Sequence, residues 1–270
     1  MESSRHGNRH ESDPHEGRVT LPTVGFVGVG KIAAAMVDGL ADACPRILLS
    51  PRGRETAADL AARHPNVEVC ESNHAVVDGA EVLVIAVRPD QVDEALRPLD
   101  VSPGTLVVSV VAGVPHETFT DLLGDVTVVR SIPLPSVRHH AGRTLVLPDQ
   151  PQVRAIFDHL GGTVAVETAA AFDALQTTSA TMTTLLHYLA TVVDWAAEQG
   201  VPPAEAEAFV QGAALGTLSE AAAGTTFAQI ADGHETPGGL NEQVRTTWLD
   251  PRRDALRATL DEVLRRVRGE

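Results

Sequence analysis

Val24-Gly25-Phe26-Val27-Gly28-Val29-Gly30-Lys31-Ile32-Ala33 decides the reading of this chain. The apolar run Val24–Val27 has the length of a buried strand, the glycines after it make a tight turn, and the Ala-rich stretch 33–43 opens a helix. Strand, turn and helix are the context that the fingerprint G-x-G-x-x-A requires. Gly28 allows the turn, Gly30 has no Cβ to hold the backbone away from phosphates, and Ala33 lets the helix lie close to the strand. The helix's unpaired N–H groups and positive dipole end then face an anion, and a dinucleotide pyrophosphate is the expected one.

In sites that prefer NAD, a carboxylate for the ribose hydroxyls lies about twenty residues on, at the end of the second strand. Here the run Ile47–Leu49 ends in Ser50-Pro51-Arg52-Gly53-Arg54. A hydroxyl and two guanidiniums in that place suit a 2′-phosphate, so NADP(H) is the expected preference and NAD(H) the second choice. The alternative is that Arg52 and Arg54 form a solvated turn before the helix expected at 55–63.

Bulk properties narrow the class. At 270 residues the chain can bury a large core, and two domains are expected. One Tyr, two Trp and six Phe among 43% hydrophobic residues imply a core of Val, Leu, Ile and Ala, which suits a parallel sheet. A net charge of −15 argues against nucleic acid or an anionic membrane as a partner. Cys44 and Cys70 are isolated, so neither a disulfide framework nor a zinc site is expected, and no metal is assigned. Residues 1–20 lack the apolar segment of a secretory signal and read as a disordered tail, whose His6, His10 and His15 are taken as adventitious metal binders at most. No apolar stretch approaches the length of a membrane span, and a cytoplasmic location is expected.

From 21 to about 168, β-branched runs alternate with helical patterns, which reads as βα units in a doubly wound parallel sheet. The runs are Val24–Val27, Ile47–Leu49, Val67–Val69, 82–87, 105–110, 126–129, Thr144–Leu147 and 164–166. Right-handed crossovers place the nucleotide beyond the carboxyl ends of the first strands. From 169 to 270 the strand signal disappears and the pattern is helical. Within 183–198, Leu185, Leu186, Leu189, Val192, Val193 and Ala196 form an apolar stripe, while His187, Thr191, Asp194 and Glu198 share another face. The helix expected at 204–223 is so rich in Ala that one domain scarcely buries all of it, which points to a helical homodimer interface. Thr236-Pro237-Gly238-Gly239 stands just before a further helical pattern and exposes backbone donors to a small anion, or else serves as a plain interhelical turn.

Taken in order, these segments resemble the pyrroline-5-carboxylate reductase family. Val24–Gly30 resembles its first strand and turn, Val87-Arg88-Pro89 its Val-Lys-Pro, and Ser109-Val110-Val111-Ala112-Gly113-Val114 its Ser-x-x-Ala-Gly-Val. Gly200-Val201-Pro202 resembles its Gly-Leu-Pro, and Thr236–Gly239 its Ser-Pro-Gly-Gly. The resemblance implies an N-terminal Rossmann domain followed by an all-helical dimerisation domain, in a homodimer or higher homo-oligomer. It also implies reduction of a cyclic imino acid with NAD(P)H. Carried across by position, Gly28, Gly30, Lys31 and Ile32 match the pyrophosphate turn, and Ser50 with Arg52 the adenosine-phosphate end. Asn73 matches a residue near the adenosine ribose. Ala86, Val87, Arg88 and Pro89 match the strand end beside the cofactor, and Ala112 with Gly113 the next loop. Thr236, Gly238 and Gly239 match the turn that receives a substrate carboxylate.

The departures fall where chemistry is expected. Ile132-Pro133-Leu134-Pro135-Ser136 replaces the family's Met-Pro-Asn-Thr-Pro, and Asn241 stands where the family has a hydroxyl near the substrate nitrogen. An asparagine amide donates a hydrogen bond but is a poor proton source. The expected reaction is therefore reduction of a small cyclic imine, with Asn241 holding the substrate and His187 the second candidate proton donor. His139 and His140 are either substrate-facing or residues of a surface loop. Two other readings stay open: reduction of a ketone or deazaflavin on the same architecture, and NADPH binding without catalysis.

Overall fold

The computed structural model describes residues 21–222 and 224–270. The expected tail 1–20, with its three histidines, and Ala223 at the end of the expected Ala-rich helix lie outside them. The chain divides into two compact units, one ending at Phe172 and the other beginning at Asp173.

In the first unit eight strands form one sheet. They are β1 (Val24–Val27), β2 (Ile47–Leu49), β3 (Val67–Val69), β4 (Val82–Ile85), β5 (Leu106–Ser109), β6 (Thr127–Ile132), β7 (Thr144–Leu147) and β8 (Thr163–Ala165). Their order is β3-β2-β1-β4-β5-β6-β7-β8. Six helices alternate with them: α1 (Lys31–Leu40), α2 (Arg54–Arg63), α3 (Asn73–Gly79), α4 (Val92–Leu96), α5 (His116–Leu123) and α6 (Pro151–His159). All strand pairs are parallel except β6 with β7, where Arg130 faces Leu147 and Ile132 faces Leu145. The sheet is thus parallel, as expected, apart from this one pair. The link 133–143 carries only a 3₁₀ turn, Pro135–His139, and no crossover helix to bring the chain back for a parallel start.

Alternation along the strands feeds two cores. Val24, Phe26, Val82, Val84 and Val108 pack with Met36 and Leu40 of α1, Leu60 of α2 and Ile156 and Phe157 of α6. Val27, Leu83, Ile85 and Val107 pack with Val76 of α3, Leu96 of α4 and Phe119 of α5. Each of these strands is buried on both faces, which is why its sequence shows no polar alternation. Cys44 belongs to the first core, and burial pushes its thiol up to about 12, so it packs as an inert apolar group.

The second unit is helical: α7 (Ala169–Ser179) runs through the point of division, followed by α8 (Thr181–Glu198), α9 (Pro203–Ala222), α10 (Phe227–His234), α11 (Leu240–Val244) and α12 (Arg253–Arg268). Between the last two, a π-helical turn Arg245–Leu249 and a 3₁₀ turn Asp250–Arg252 keep the chain coiled. No helix among the described residues is long and apolar enough to cross a membrane.

Helix α1 reaches its place because Gly39 has no side chain. A Cβ there would lie 2.6 Å from the Val137 carbonyl oxygen and 2.6 Å from a Leu160 methyl. The carbonyl belongs to the 3₁₀ turn packed on α1 and cannot move aside without shifting backbone. Gly39→Ala is therefore expected to destabilise by about 1–3 kcal/mol through overpacking, lowering the melting temperature by several degrees in a thermal denaturation scan.

Candidate functional site

The strand order places β1 beside β4 while β2 lies on the other side of β1, so the crevice between the turns after β1 and β4 is the topological switch point. Gly28 closes that crevice. Its φ is +95°, and a Cβ on it would lie 2.7 Å from the Ala86 carbonyl oxygen. The Gly28 amide donates to Ser50 Oγ at 2.9 Å, and Ser50 is fully buried. The Ser50 hydroxyl, matched from sequence to the adenosine-phosphate end, is buried and accepts from this turn.

Gly30 differs from Gly28 in kind. It caps α1 in extended conformation, and a Cβ built on it meets nothing within 4 Å. No side chain caps the helix, its first turn holds no acid, and Lys31 is exposed. Ile32 is half-buried against the core. The start of this ten-residue helix thus carries its partial positive charge with no side-chain cap and no first-turn acid among the described residues.

The turn after β2 leans on this loop, because a Cβ at Gly53 would lie 2.7 Å from the Val29 carbonyl oxygen. Arg52 pairs with Glu94 of α4 at 3.1 Å, with both side chains more than half exposed. A pair so solvated is worth little and is readily exchanged for a phosphate. Arg54 opens α2 and is exposed. Asn73 opens α3, whose N-cap Ser72 accepts from the Ala75 amide. Ala86 and Val87 are half-buried at the end of β4, and Arg88 and Pro89 are exposed, Arg88 pairing with Asp90 at 3.3 Å. Ala112 and Gly113 are exposed in the loop after β5. The residues named at this end of the first unit therefore lie in the turns that follow β1, β2, β3, β4 and β5.

The second unit presents the other set. Gly239 donates to the Thr236 carbonyl at 2.7 Å, and Gly238 donates to the Glu242 carboxylate at 2.5 Å. Asn241 Nδ2 donates to the His234 carbonyl at 2.6 Å. The Gly238 donor and the Asn241 amide, both reserved by the sequence reading for a substrate, are engaged by acceptors of the chain itself. Glu242 puts a carboxylate on the turn where an incoming one was expected.

His187 and Asn241 line neighbouring hollows. The first, a groove of about 710 Å³, has His187, Thr184, Thr191 and Trp195 in its wall, and the second, about 490 Å³, has Asn241, Arg245 and Leu249. Tyr188, Val244 and Trp248 belong to both. The Tyr188 and Trp248 rings stack at 5.4 Å and 29°. Sequence reasoning missed Arg245, which makes two bonds to the Glu235 carboxylate at 2.6 and 2.7 Å and one to Asp250 at 2.6 Å. That guanidinium holds the Glu235 carboxyl below the usual carboxylate range. It clasps the turn 235–239 to the π-helical turn that carries Trp248, and such turns concentrate at functional sites. The only signal in the sequence was the run of opposite charges at 235, 245 and 250.

Residues 23–113 match the family of NADP oxidoreductases, coenzyme F420-dependent. The pyrroline-5-carboxylate reductase of Pseudomonas aeruginosa is 35% identical over 122 residues, which are 43% of this chain and 44% of that protein. The aligned stretch thus spans less than half the length of this curated relative. The structure of a pyrroline-5-carboxylate reductase from Coxiella burnetii superposes with a TM-score of 0.80 at 20% identity, covering 93% of this chain and 98% of that one. The Plasmodium falciparum pyrroline carboxylate reductase with NADP bound superposes at 0.72 and 15% identity, over 93% and 97% of the two chains. The chain is thus similar in sequence to a pyrroline-5-carboxylate reductase over fewer than half its residues, and shares the fold of such enzymes over nearly all of them.

Proposed function

We propose that this chain is an NAD(P)H-dependent reductase acting on the C=N bond of a small cyclic imine or imino acid. The observation that carries the reading is the uncapped start of α1 at the switch point, with Gly30 facing open space. Among the described residues no side chain caps that helix start, and a pyrophosphate is the anion its N–H groups would bind in this fold. A bound nicotinamide nucleotide supplies a hydride. The protein's part is to hold the diphosphate at Gly28, Gly30, Lys31 and Ile32, and to receive the adenosine end at Asn73 and Arg52. Ala86–Pro89 and Ala112–Gly113 bound the reactive end.

On the substrate side, Thr236, Gly238, Gly239 and Asn241 bind by exchange, the ligand taking donors that the chain now satisfies itself. Asn241 orients the ring nitrogen without delivering a proton, and His187, exposed in its groove, is the group able to supply one near neutral pH. A second reading rests on the family matched by residues 23–113, which favours a deazaflavin as hydride partner. Cyclic imines with and without an α-carboxylate, ketones and oxidised deazaflavin, each offered with NADPH, separate the two.

Gly30→Ala tests the central claim, because the fold has room for the methyl. The variant is expected to melt with the wild type while its Kd for NADPH rises roughly tenfold or more, about 1.4 kcal/mol. An unchanged melting temperature of the wild type on adding NADPH or NADH would remove the reading.

Arg52 sets cofactor choice in this proposal. A charge-assisted bond to a 2′-phosphate is worth about 1.5–3 kcal/mol, so Arg52→Ala should weaken NADPH by roughly 10- to 100-fold and NADH by less than about twofold. Equal losses in parallel titrations of the two nucleotides would show that Arg52 does not read the phosphate.

The functional unit is proposed to be a homodimer. Among the described residues from Asp173 on, the buried apolar ones are Val193, Ala206 and Ile230, while Phe209 is 77% and Leu215 70% exposed on α9. A single copy leaves these large apolar side chains in water, the kind of exposed patch that marks an interface. Sedimentation should give twice the 28.5 kDa chain mass, and Phe209→Glu should return it to one. A wild-type monomer at micromolar concentration would contradict the proposal.

A further inference from the structure

Asp42, His140 and His159 come together from three separate segments. Asp42 lies in the turn after α1, His140 caps the 3₁₀ turn Pro135–His139, and His159 ends α6. One ligand atom from each lies within 4.8 Å of those of the other two. We propose that these three residues bind a divalent transition-metal ion of the zinc class, which clips the three segments together.

The donor set selects the metal. Two imidazoles and one carboxylate suit zinc, cobalt or nickel, whereas magnesium and calcium take oxygen ligands. Asp42 Oδ1 and His159 Nε2 are 3.0 Å apart. With zinc–ligand bonds of 2.0–2.1 Å, a tetrahedral edge is about 3.3 Å, so this pair already spans one edge.

A second observation concerns the ring of His140. Its Nδ1 lies 2.8 Å from the main-chain carbonyl of His159. A carbonyl only accepts, so Nδ1 carries the proton and the lone pair is on Nε2. An imidazole that donates its other nitrogen to a backbone carbonyl is the usual outer arrangement of a metal ligand.

The backbone under the site is held firmly. His140 adopts φ +51°, and its loop lies against Gly161, where a Cβ would be 2.8–2.9 Å from the main chain of His140, Ala141 and Gly142. The Asp42 side chain is 63% exposed and that of His159 29%, which leaves an entry path and room for a water as fourth ligand. The cluster is also separate from the nucleotide loop, since the ten residues of α1 put about 15 Å of helix between Gly30 and the turn that holds Asp42. The sequence reading assigned no metal because the ligands are 98 and 19 residues apart and share no motif.

The test uses the full chain, stripped with a chelator and titrated with zinc chloride, with magnesium chloride as control. His6→Gln/His10→Gln/His15→Gln removes the tail histidines, and His140→Gln/His159→Gln removes the proposed ligands. Wild type and tail variant are expected to take up one zinc in common and to gain roughly 5–10 °C in melting temperature at a hundredfold excess over Kd. Cobalt in the same site should show the visible bands of a four-coordinate ion. The double variant should bind that equivalent at least about a hundredfold more weakly and gain nothing on heating, while still binding NADPH as the wild type does. If the double variant fails to fold, Asp42→Asn, at an exposed ligand, takes its place. Zinc uptake and thermal shift that survive loss of the ligands, that vanish with the tail histidines, or that magnesium reproduces would overturn the proposal.

Discussion

At Gly28 two backbones meet more closely than a methyl group permits, and the nucleotide end of the chain depends on that contact. The turn after β1 must fold over the end of β4, and the Ala86 carbonyl stands 2.7 Å from where a side chain would begin. The same residue donates its amide to Ser50, so one position ties together the ends of β1, β2 and β4. Gly53 repeats the device one turn out, against Val29. Gly30 is the counterexample two residues away: no neighbour requires a glycine there, and its open side is what an approaching phosphate needs. Two glycines in one motif therefore answer to different constraints, one internal to the fold and one external to it.

The elements buried on both faces were legible in the sequence. Val24–Val27, Ile47–Leu49 and Thr144–Leu147 are strands over the residues expected, because an apolar run has few other stable places in a domain, and the edge strand Val67–Val69 keeps its expected bounds although Glu68 and Val69 are exposed. The run 82–87 ends two residues early, where Ala86 and Val87 leave the sheet to form the switch-point turn. Strand direction was not legible: β7 reads like any other strand, and only its connection reverses it. Side-chain direction was not legible either. A hydroxyl at the end of β2 is as compatible with a bound phosphate as with a bond back to Gly28, and burial of Ser50 is a tertiary fact.

The two units differ in how their sequences specify them. The first has a core on each side of its sheet, with Phe26, Phe119 and Phe157 fully enclosed. In the second, α9 carries no net apolar face, since Ala dominates it all round, and its large side chains point outward in the single chain. Small side chains allow close helix packing but contribute little burial each, so in the proposed homodimer such a unit gains stability by covering area with another copy rather than by filling an interior. The polar clasp of Arg245 with Glu235 and Asp250 supplies order where the apolar core is thin.

That clasp frames the turn on which the proposed chemistry differs most from the family it resembles. Glu242 holds the Gly238 amide and Asn241 holds the His234 carbonyl, so the turn is satisfied without a ligand. A substrate carboxylate entering there must displace one negative charge and then remain near it, gaining only the difference between two similar hydrogen bonds. A cyclic iminium meets the opposite situation, since its positive nitrogen is attracted by the Glu242 charge, and its proton is already in place. In the proposed reaction Asn241, which stands where the resembled family has a hydroxyl, lies next to Glu242, which carries an anion. Under the proposed function, the Glu242 charge favours a substrate that arrives protonated over one recognised chiefly through its carboxylate.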